Sequence, residues 1–415
     1  MAPMSVIGRL KDHPFGVIKA FSFILYGAFA IYSAFFPLYL KELGVSSVAI
    51  GLLLAGGPIL SLFANPFWGY WSDRLSNVRR ILIILLIGSF LSLQTVFFTN
   101  SFPFLVTFLL VFFCFQSPLF AQSNSLILEA IEHTNHKFGS FRLWGALGWA
   151  LMALATGPVM EWLGIRDLWK VCGVMMGLAI VFAWMLPQAQ NSGKGESGSS
   201  IQSGKKGNYL QIMSDKWFLV FILMGILISI PNAMNNTFVS IYMSELGGNS
   251  SLIGWSAFFA SIFEIPVYLL FDRFLRKDRR SMFFCLAAVS LLYALRWFLM
   301  ASATSPYHIL FIQALNSITF AGYYYVGTQL TAYLIPPAFR ASGQAVYALS
   351  WGGLSGMVAG IAGGLIFQEL GAHAMYTISA MMALIGVAGF SSMFVIAARM
   401  EVRQKNATQY EKTLL

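Results

Sequence analysis

The chain has 415 residues, 58% of them hydrophobic and only 10% charged, with a formal net charge of +10. Ordinary soluble domains carry about 25% charged residues, so this composition excludes a disordered chain and a water-soluble globule. The apolar residues come in long uninterrupted blocks, each near the ~20 residues that a helix needs to cross a bilayer.

Taken in chain order, such blocks occur at 17–40, 48–70, 80–99, 103–128, 139–161 and 168–187. After a polar gap they recur at 216–243, 251–271, 281–303, 306–335, 341–367 and 373–398. The reading is an all-α membrane protein of twelve spans, rich in the Gly and Pro that membrane helices tolerate. A transmembrane barrel alternates apolar and polar residues in short segments, a pattern these blocks lack. With both termini cytoplasmic, 22 of the 26 basic residues fall on the side of the termini. Only Lys41, Arg166 and Lys170 fall opposite, and Arg296 lies within a span. The charge therefore records topology in the plasma membrane rather than affinity for nucleic acid. Cys114, Cys172 and Cys285 all lie in spans, which predicts free thiols. Met1–Lys19 is polar and followed by too long an apolar run for a cleavable signal.

Gln188–Gly207 reads QAQNSGKGESGSSIQSGKKG, a Gly/Ser-rich linker that divides the spans six and six. The expected organisation is an N-terminal bundle 1–187, a cytoplasmic linker 188–215, a C-terminal bundle 216–400 and a cytoplasmic tail 401–415. The halves repeat one another. PLYLKELG (Pro37–Gly44) corresponds to SIYMSELG (Ser240–Gly247), and EWLG (Glu161–Gly164) to QELG (Gln368–Gly371). Asp73-Arg74 with Arg79-Arg80 corresponds to Asp272-Arg273 with Arg279-Arg280. Three matches in the same order indicate a six-helix duplication, a plan that in transporters places the substrate at the midplane between the halves.

GYWSDRLSNVRR (Gly69–Arg80) resembles the inter-helix signature of the major facilitator superfamily. The resemblance implies that superfamily's fold, two pseudo-symmetric six-helix bundles working by alternating access. In that reading Gly69 lets two helices approach. Asp73 accepts hydrogen bonds from a helix N-terminus of the facing half, latching the outward-facing state. Arg74, Asp272 and Arg273 complete the gating set. Arg79, Arg80, Arg279 and Arg280 read as topological charges at the headgroups.

Ionisable side chains deep in a membrane cost several kcal/mol and usually face a partner or a wet cavity. Four stand out: Glu129 ending span 4, Arg142 opening span 5, Glu264 within span 8 and Arg296 within span 9. EAIEHTNHKFGSFRLWGALGWAL (Glu129–Leu151) is similar to the lactose permease branch of the superfamily. The similarity implies that Glu129 and Arg142 bind substrate polar groups, that Trp149 stacks on a ring, and that Glu264 with Arg296 serves recognition and proton coupling. The branch's His and Glu of span 10 read Asn316 and Thr319 here, and a nearby Lys reads Gln313. Two Asp of span 7 read Asn232 and Asn235, and their Lys partner falls in the neutral stretch LSWGGLSG (Leu349–Gly356). Losing both partners of a buried pair together is compatible with the same fold, but it moves the expectation away from lactose itself. Phenylpropionate permeases and nucleoside:proton symporters share the simpler pattern.

The expected function is a proton-coupled importer of a small polar ring compound, foremost a sugar. Nucleosides, aromatic acids and multidrug export are the alternatives within transport, and signalling or lipid scrambling the alternatives outside it. Asn232, Asn235, Asn236, Gln313 and Asn316 supply neutral hydrogen-bond partners from the C-terminal half. Glu264, the one acid well inside an apolar span, is the expected proton site. The five His (His13, His133, His136, His308, His373) have no ligand spacing, and no cofactor or metal is expected. No nucleophile–base set or phosphate-cradling loop suggests an enzyme. The expected partners are a small-molecule substrate, protons and the bilayer, with the chain a monomer.

Overall fold

The structure is a computed structural model. It describes residues 14–75, 77–99, 101–131, 134, 138–187, 215–276, 278–336 and 339–414, without the side chains of Pro14, Asp73, Ile265, Asp272, Ala341 and 404–414. Most of the expected linker, the first thirteen residues, His133 and His136 lie outside the described residues.

Within these residues the chain is all helix. Eleven stretches are long and apolar enough to cross a membrane, and the last of them runs for 62 residues, Ser342–Arg403. At 1.5 Å per residue such a helix would be about 93 Å long, three times a bilayer core. Gly371, at φ 81° and ψ 173°, breaks it, so twelve crossings result. Spans 1, 2 and 3 are Pro14–Glu42, Ser47–Leu75 and Val78–Phe98. Span 4 joins Phe102–Gln116 to Leu119–Ile131, parted at Ser117 and Pro118, where Pro lacks an amide for the ladder. Span 5 is Phe138–Leu163, and span 6 is Leu168–Met185 after the short turn Ile165–Asp167.

Span 7 is Lys216–Glu245. Span 8 is two pieces, Ser250–Ile262 and Glu264–Phe274, meeting at a turn on Phe263. Spans 9 and 10 are Arg279–Ala301 and Pro306–Leu334. Span 11 runs from Arg340–Ala348 through a π-turn, Leu349–Leu354, and on to Gly371, and span 12 follows. Three of the breaks, at Ser117 and Pro118, at Phe263 and at the π-turn, fall inside blocks that read as continuous spans. Apolar patterning reports the solvent around a helix but not the phase of its hydrogen bonds.

The two six-helix bundles repeat one another in detail. The four glycines with positive φ are Gly44, Gly164, Gly247 and Gly371, each closing one copy of the repeated signature at the ends of spans 1, 5, 7 and 11. At Gly44 and Gly247 the chain turns in the same way: Val45 donates to Leu40 O at 3.1 Å and Gly248 to Met243 O at 2.8 Å, the six-to-one bond of a Schellman stop.

Inside each bundle, small residues set the helix spacing. A Cβ on Gly148 of span 5 would overlap the Phe23 carbonyl of span 1, and one on Gly27 would press on Met152. Across the bundles, span 2 packs on span 11 and span 5 on span 8. A Cβ on Gly364 would stand 2.9 Å from Ser47 O, and one on Gly254 2.7 Å from Ala153 O. This seam closes at the face opposite the termini, where Lys41 pairs with Glu245 at 3.5 Å. Towards the termini a Cβ on Gly356 would press on Pro58 at 2.8 Å, and one on Gly353 would stand 3.8 Å from Leu62. Gly148→Val should lower the unfolding temperature of the purified protein by the equivalent of about 1–3 kcal/mol of overpacking. Thermal unfolding in detergent measures it, and an unchanged transition would contradict the backbone contact described.

Candidate functional site

Where the closed seam ends, the bundles part around a cavity of about 350 Å³. Span 1 contributes Tyr32 and Ser33, span 2 Leu54 and Pro58, and span 7 Ser229, Asn232, Asn236 and Thr237. Phe320 of span 10 and Trp351, Gly352 and Gly356 of span 11 complete the C-terminal wall. The lining thus draws on both halves and holds no ionisable side chain besides the Tyr32 phenol.

Pro231, inside span 7, withdraws an amide from the helix one residue before Asn232. Asn232 is buried, and its Oδ1 has no hydrogen-bond partner among the described residues. Asn236, one turn further on, is exposed. Together they present amide groups where a solute with hydroxyl or ring-nitrogen groups would meet them. The aromatic side is set by the π-turn, a local distortion that often marks a functional position. There Trp351 stacks on Tyr323, with centroids 4.8 Å apart and planes at 19°, and Phe320 lies 6.1 Å away. Ser355 Oγ donates to Ser350 O across the turn at 2.7 Å and pairs with Ser229 Oγ of span 7 at 2.5 Å. These serines fix the distorted turn against the cavity wall.

The ionisable residues singled out from the sequence form two further groups. Glu264, half-buried, opens the second piece of span 8, and the Arg142 guanidinium of the other half acts on it electrostatically. Arg142 also lies over the Tyr26 ring at 4.3 Å, and Tyr268 interacts with both charges. Arg142 and Glu264 thus lie within electrostatic range of one another across the interface, with no ion pair between them among the described residues. Glu129 is exposed near the end of span 4, and Trp149 is half-buried on span 5 outside the cavity lining.

Arg296 does not pair with Glu264. It is fully buried and donates from Nη1 to Asn316 Oδ1 at 2.8 Å and from Nη2 to Gln313 Oε1 at 2.5 Å, with its guanidinium 4.3 Å from the Trp297 centroid. Asn316 Nδ2 donates in turn to Ala260 O of span 8 at 2.9 Å, four residues before Glu264. Gln313 and Asn316 thus hold a cation, and they reach the broken helix through the backbone. Asn235, also buried, accepts from Tyr376 OH at 3.1 Å and faces span 12. Of the five neutral residues named from the sequence, Asn232 and Asn236 line the cavity.

In the gating set, a Cβ on Gly69 would meet nothing within 4 Å, so this face of span 2 is not in a close helix crossing in this conformation. Arg74 and Arg273 are exposed, lying over the neighbouring rings of Trp71 and Phe274 at 5.7 Å each. The side chains of Asp73 and Asp272 lie outside the described residues. Tyr32, Phe320 and Trp351 were not singled out from the sequence. The available signal was the Trp-Gly-Gly run in an apolar span, which reads equally well as helix packing.

Residues 16–378 match the model of the MFS_1 like family. The chain belongs to that family. It is thus a multi-pass membrane transporter of the major facilitator superfamily and not an enzyme. It is 27% identical over 352 residues to the uncharacterized transporter YwbF of Bacillus subtilis, covering 84% of this chain and 85% of that protein. It is 23% identical over 372 residues to the maltose permease of Geobacillus stearothermophilus, covering 89% and 92%. Among solved structures, the nucleoside transporter NupG superposes with a TM-score of 0.76 at 14% identity, over 92% of this chain and 99% of that one. That likeness concerns the fold. The shared architecture accounts for the cavity's position between the bundles of this transporter.

The burial of Arg296 without an acid makes its two amide acceptors essential to the transporter's stability. Gln313→Leu should destabilise by about 1–3 kcal/mol, the range for an unsatisfied buried group. Arg296→Met combined with Gln313→Leu should cost less than the sum of the single changes. Thermal unfolding of the three variants closes the cycle, and strict additivity would contradict the contact.

Proposed function

We propose that this transporter is a proton-coupled importer of an uncharged polar ring compound, a sugar or a nucleoside, working by alternating access as a monomer. The observation that carries the reading is the cavity's chemistry: aromatic faces from Trp351 and Phe320, amides from Asn232 and Asn236, and no charged side chain in its wall. Sugars and nucleosides each offer a ring face for stacking and neutral groups at the edge for hydrogen bonding. The curated relatives are in keeping with this range: one is a maltose permease and another a putative nucleoside transporter of Escherichia coli. An aromatic acid, the cargo in the name of a probable 3-phenylpropionic acid transporter from the same organism, would need a cation to receive its carboxylate. Arg142 is the candidate for that second reading, and it stands in the Glu264 group rather than in the cavity lining.

The positive-inside distribution supports a cytoplasmic location for both termini; on that reading the closed seam faces outward and the conformation is inward-facing. The division into bundles 1–187 and 216–400 joined by a cytoplasmic linker belongs to the same reading, with Asp73-Arg74 and Asp272-Arg273 gating the cytoplasmic side. Coupling is assigned to Glu264. Its protonated form relieves Arg142 of a partner, and its ionised form restores the attraction between the halves. Arg296, tied to span 8 through Asn316 and Ala260 O, positions the broken helix that presents Glu264.

Uptake into proteoliposomes under an inward proton gradient, with labelled maltose, uridine and 3-phenylpropionate, tests the substrate reading. Accumulation of a neutral compound supports it, and accumulation of the acid alone overturns it. Trp351→Ala should lower the uptake efficiency of the accepted compound at least about tenfold, the loss of one aromatic platform being worth ~1.4 kcal/mol or more. Glu264→Gln should abolish accumulation against a gradient while exchange of substrate continues. Undiminished accumulation by that variant would remove Glu264 from the coupling step.

A further inference from the structure

The polar contacts that close the outer end of the seam come from the duplicated signatures themselves. Glu161, first residue of EWLG at the end of span 5, accepts hydrogen bonds from Asn249 Nδ2 at 3.1 Å and from Ser251 Oγ. Asn249 is the N-cap of the first piece of span 8, its Oδ1 accepting from the Leu252 amide at 3.0 Å. Gln368, first residue of QELG at the end of span 11, accepts from the Val48 amide in the first turn of span 2 at 3.2 Å. Each side chain leaves its own bundle for the start of a helix in the other, where amides lack intrahelical acceptors. Spans 5 and 11 occupy equivalent places in the duplication, as do spans 2 and 8.

We propose that Glu161 and Gln368 are paired latches of the transport cycle, each holding the seam shut by engaging the N-terminal turn of a helix in the opposite bundle. They differ in strength. A carboxylate at a helix N-terminus interacts favourably with the helix dipole, and bonds to a charged acceptor exceed those to a neutral amide. Glu161 makes two bonds and Gln368 one, so Glu161 is the principal latch. The Lys41–Glu245 pair at the same face has side chains 40% and 44% exposed, and exposed pairs contribute little. Both latches release when the bundles part, because each spans the interface and neither has a partner to follow it. The proposal uses alternating access but neither the substrate nor the coupling ion.

Amide hydrogen exchange on the full chain in lipid nanodiscs, read by mass spectrometry without substrate, tests it. Glu161→Ala should speed exchange about three- to tenfold at residues 250–255 and also at 47–52. Residues 47–52 do not touch Glu161, so their response reports separation of the bundles rather than loss of a local bond. Gln368→Glu should slow exchange at both segments, and Lys41→Ala should leave both within about twofold of the parent. Acceleration confined to 250–255 in Glu161→Ala would overturn the proposal. If exchange in that variant rises throughout the chain, it has unfolded, and Gln368→Glu decides alone: slowing at both segments supports the latches, and unchanged rates overturn them. Since no solute is present, failure here leaves the substrate reading standing, and failure of uptake leaves the latches standing.

Discussion

Close approach of backbones at glycine is the constraint on which the rest of this molecule depends. Lipid supplies no hydrophobic force between helices, so association rests on van der Waals contact and on the few polar bonds that bridge them. At the seam between spans 2 and 11, Gly51 and Gly360 each leave room for the other's carbonyl, and between spans 5 and 8 Gly157 leaves room for the Ser250 carbonyl and Gly254 for that of Ala153. Such a surface is dense enough to exclude solvent yet carries few side chains that must disengage when it opens. A seam of interlocked Leu and Phe would seal equally well but would have to withdraw every side chain from its neighbours on each cycle. Polar bonds concentrate at the rim of the seam, where water can replace them.

The second organising feature is a charge held without an opposite charge. Arg296 sits in the C-terminal bundle with amide oxygens and an indole face around it. Burying an ion is tolerable only when its hydrogen bonds are met by protein groups. Gln313 and Asn316 take one bond from each terminal nitrogen while remaining neutral, Nε has no partner among the described residues, and Asn316 extends the network to the backbone of span 8 beside the break at Phe263. That break ends one helical piece and lets Glu264 begin the next at the interface between bundles. A structural cation and an interfacial acid are thereby joined through a helix backbone rather than by direct attraction. Asn316 and Thr319 of span 10, Asn232 and Asn235 of span 7 and Leu349–Gly356 of span 11 carry no charge, and the cavity wall is neutral.

Neutrality in turn gives geometry the deciding role at the cavity. Trp351 stands on a π-turn whose extra residue rotates the helix face, and the serines at 229, 350 and 355 hold that rotation in place. The indole is thus positioned by hydrogen bonds lying behind it, while its own face takes part in a stack with Tyr323. The amides of Asn232 and Asn236 come from span 7 beside Pro231, so both walls of the C-terminal side are built where a helix departs from regularity.

Much of the architecture was legible in the sequence because bilayer thickness imposes a length and an apolar composition on every crossing. Twelve blocks, the duplicated ELG and DR signatures and the superfamily resemblance followed from residues alone, as did the nomination of Glu264, Arg142 and Arg296 as ions too costly to be idle. Partnership was not legible. Whether Arg296 meets Glu264 or two neutral amides depends on rotation and tilt of spans 8, 9 and 10, which hydrophobicity leaves free since every face of a buried helix is apolar. The same freedom concealed Trp351, whose direction is set by the π-turn, and it hid the meeting of Glu161 with Asn249 and of Gln368 with Val48, residues far apart in the chain. Composition and spacing determine which segments enter the membrane, and packing decides which of their side chains face one another, because contact distances are fixed only when the helices have turned into place.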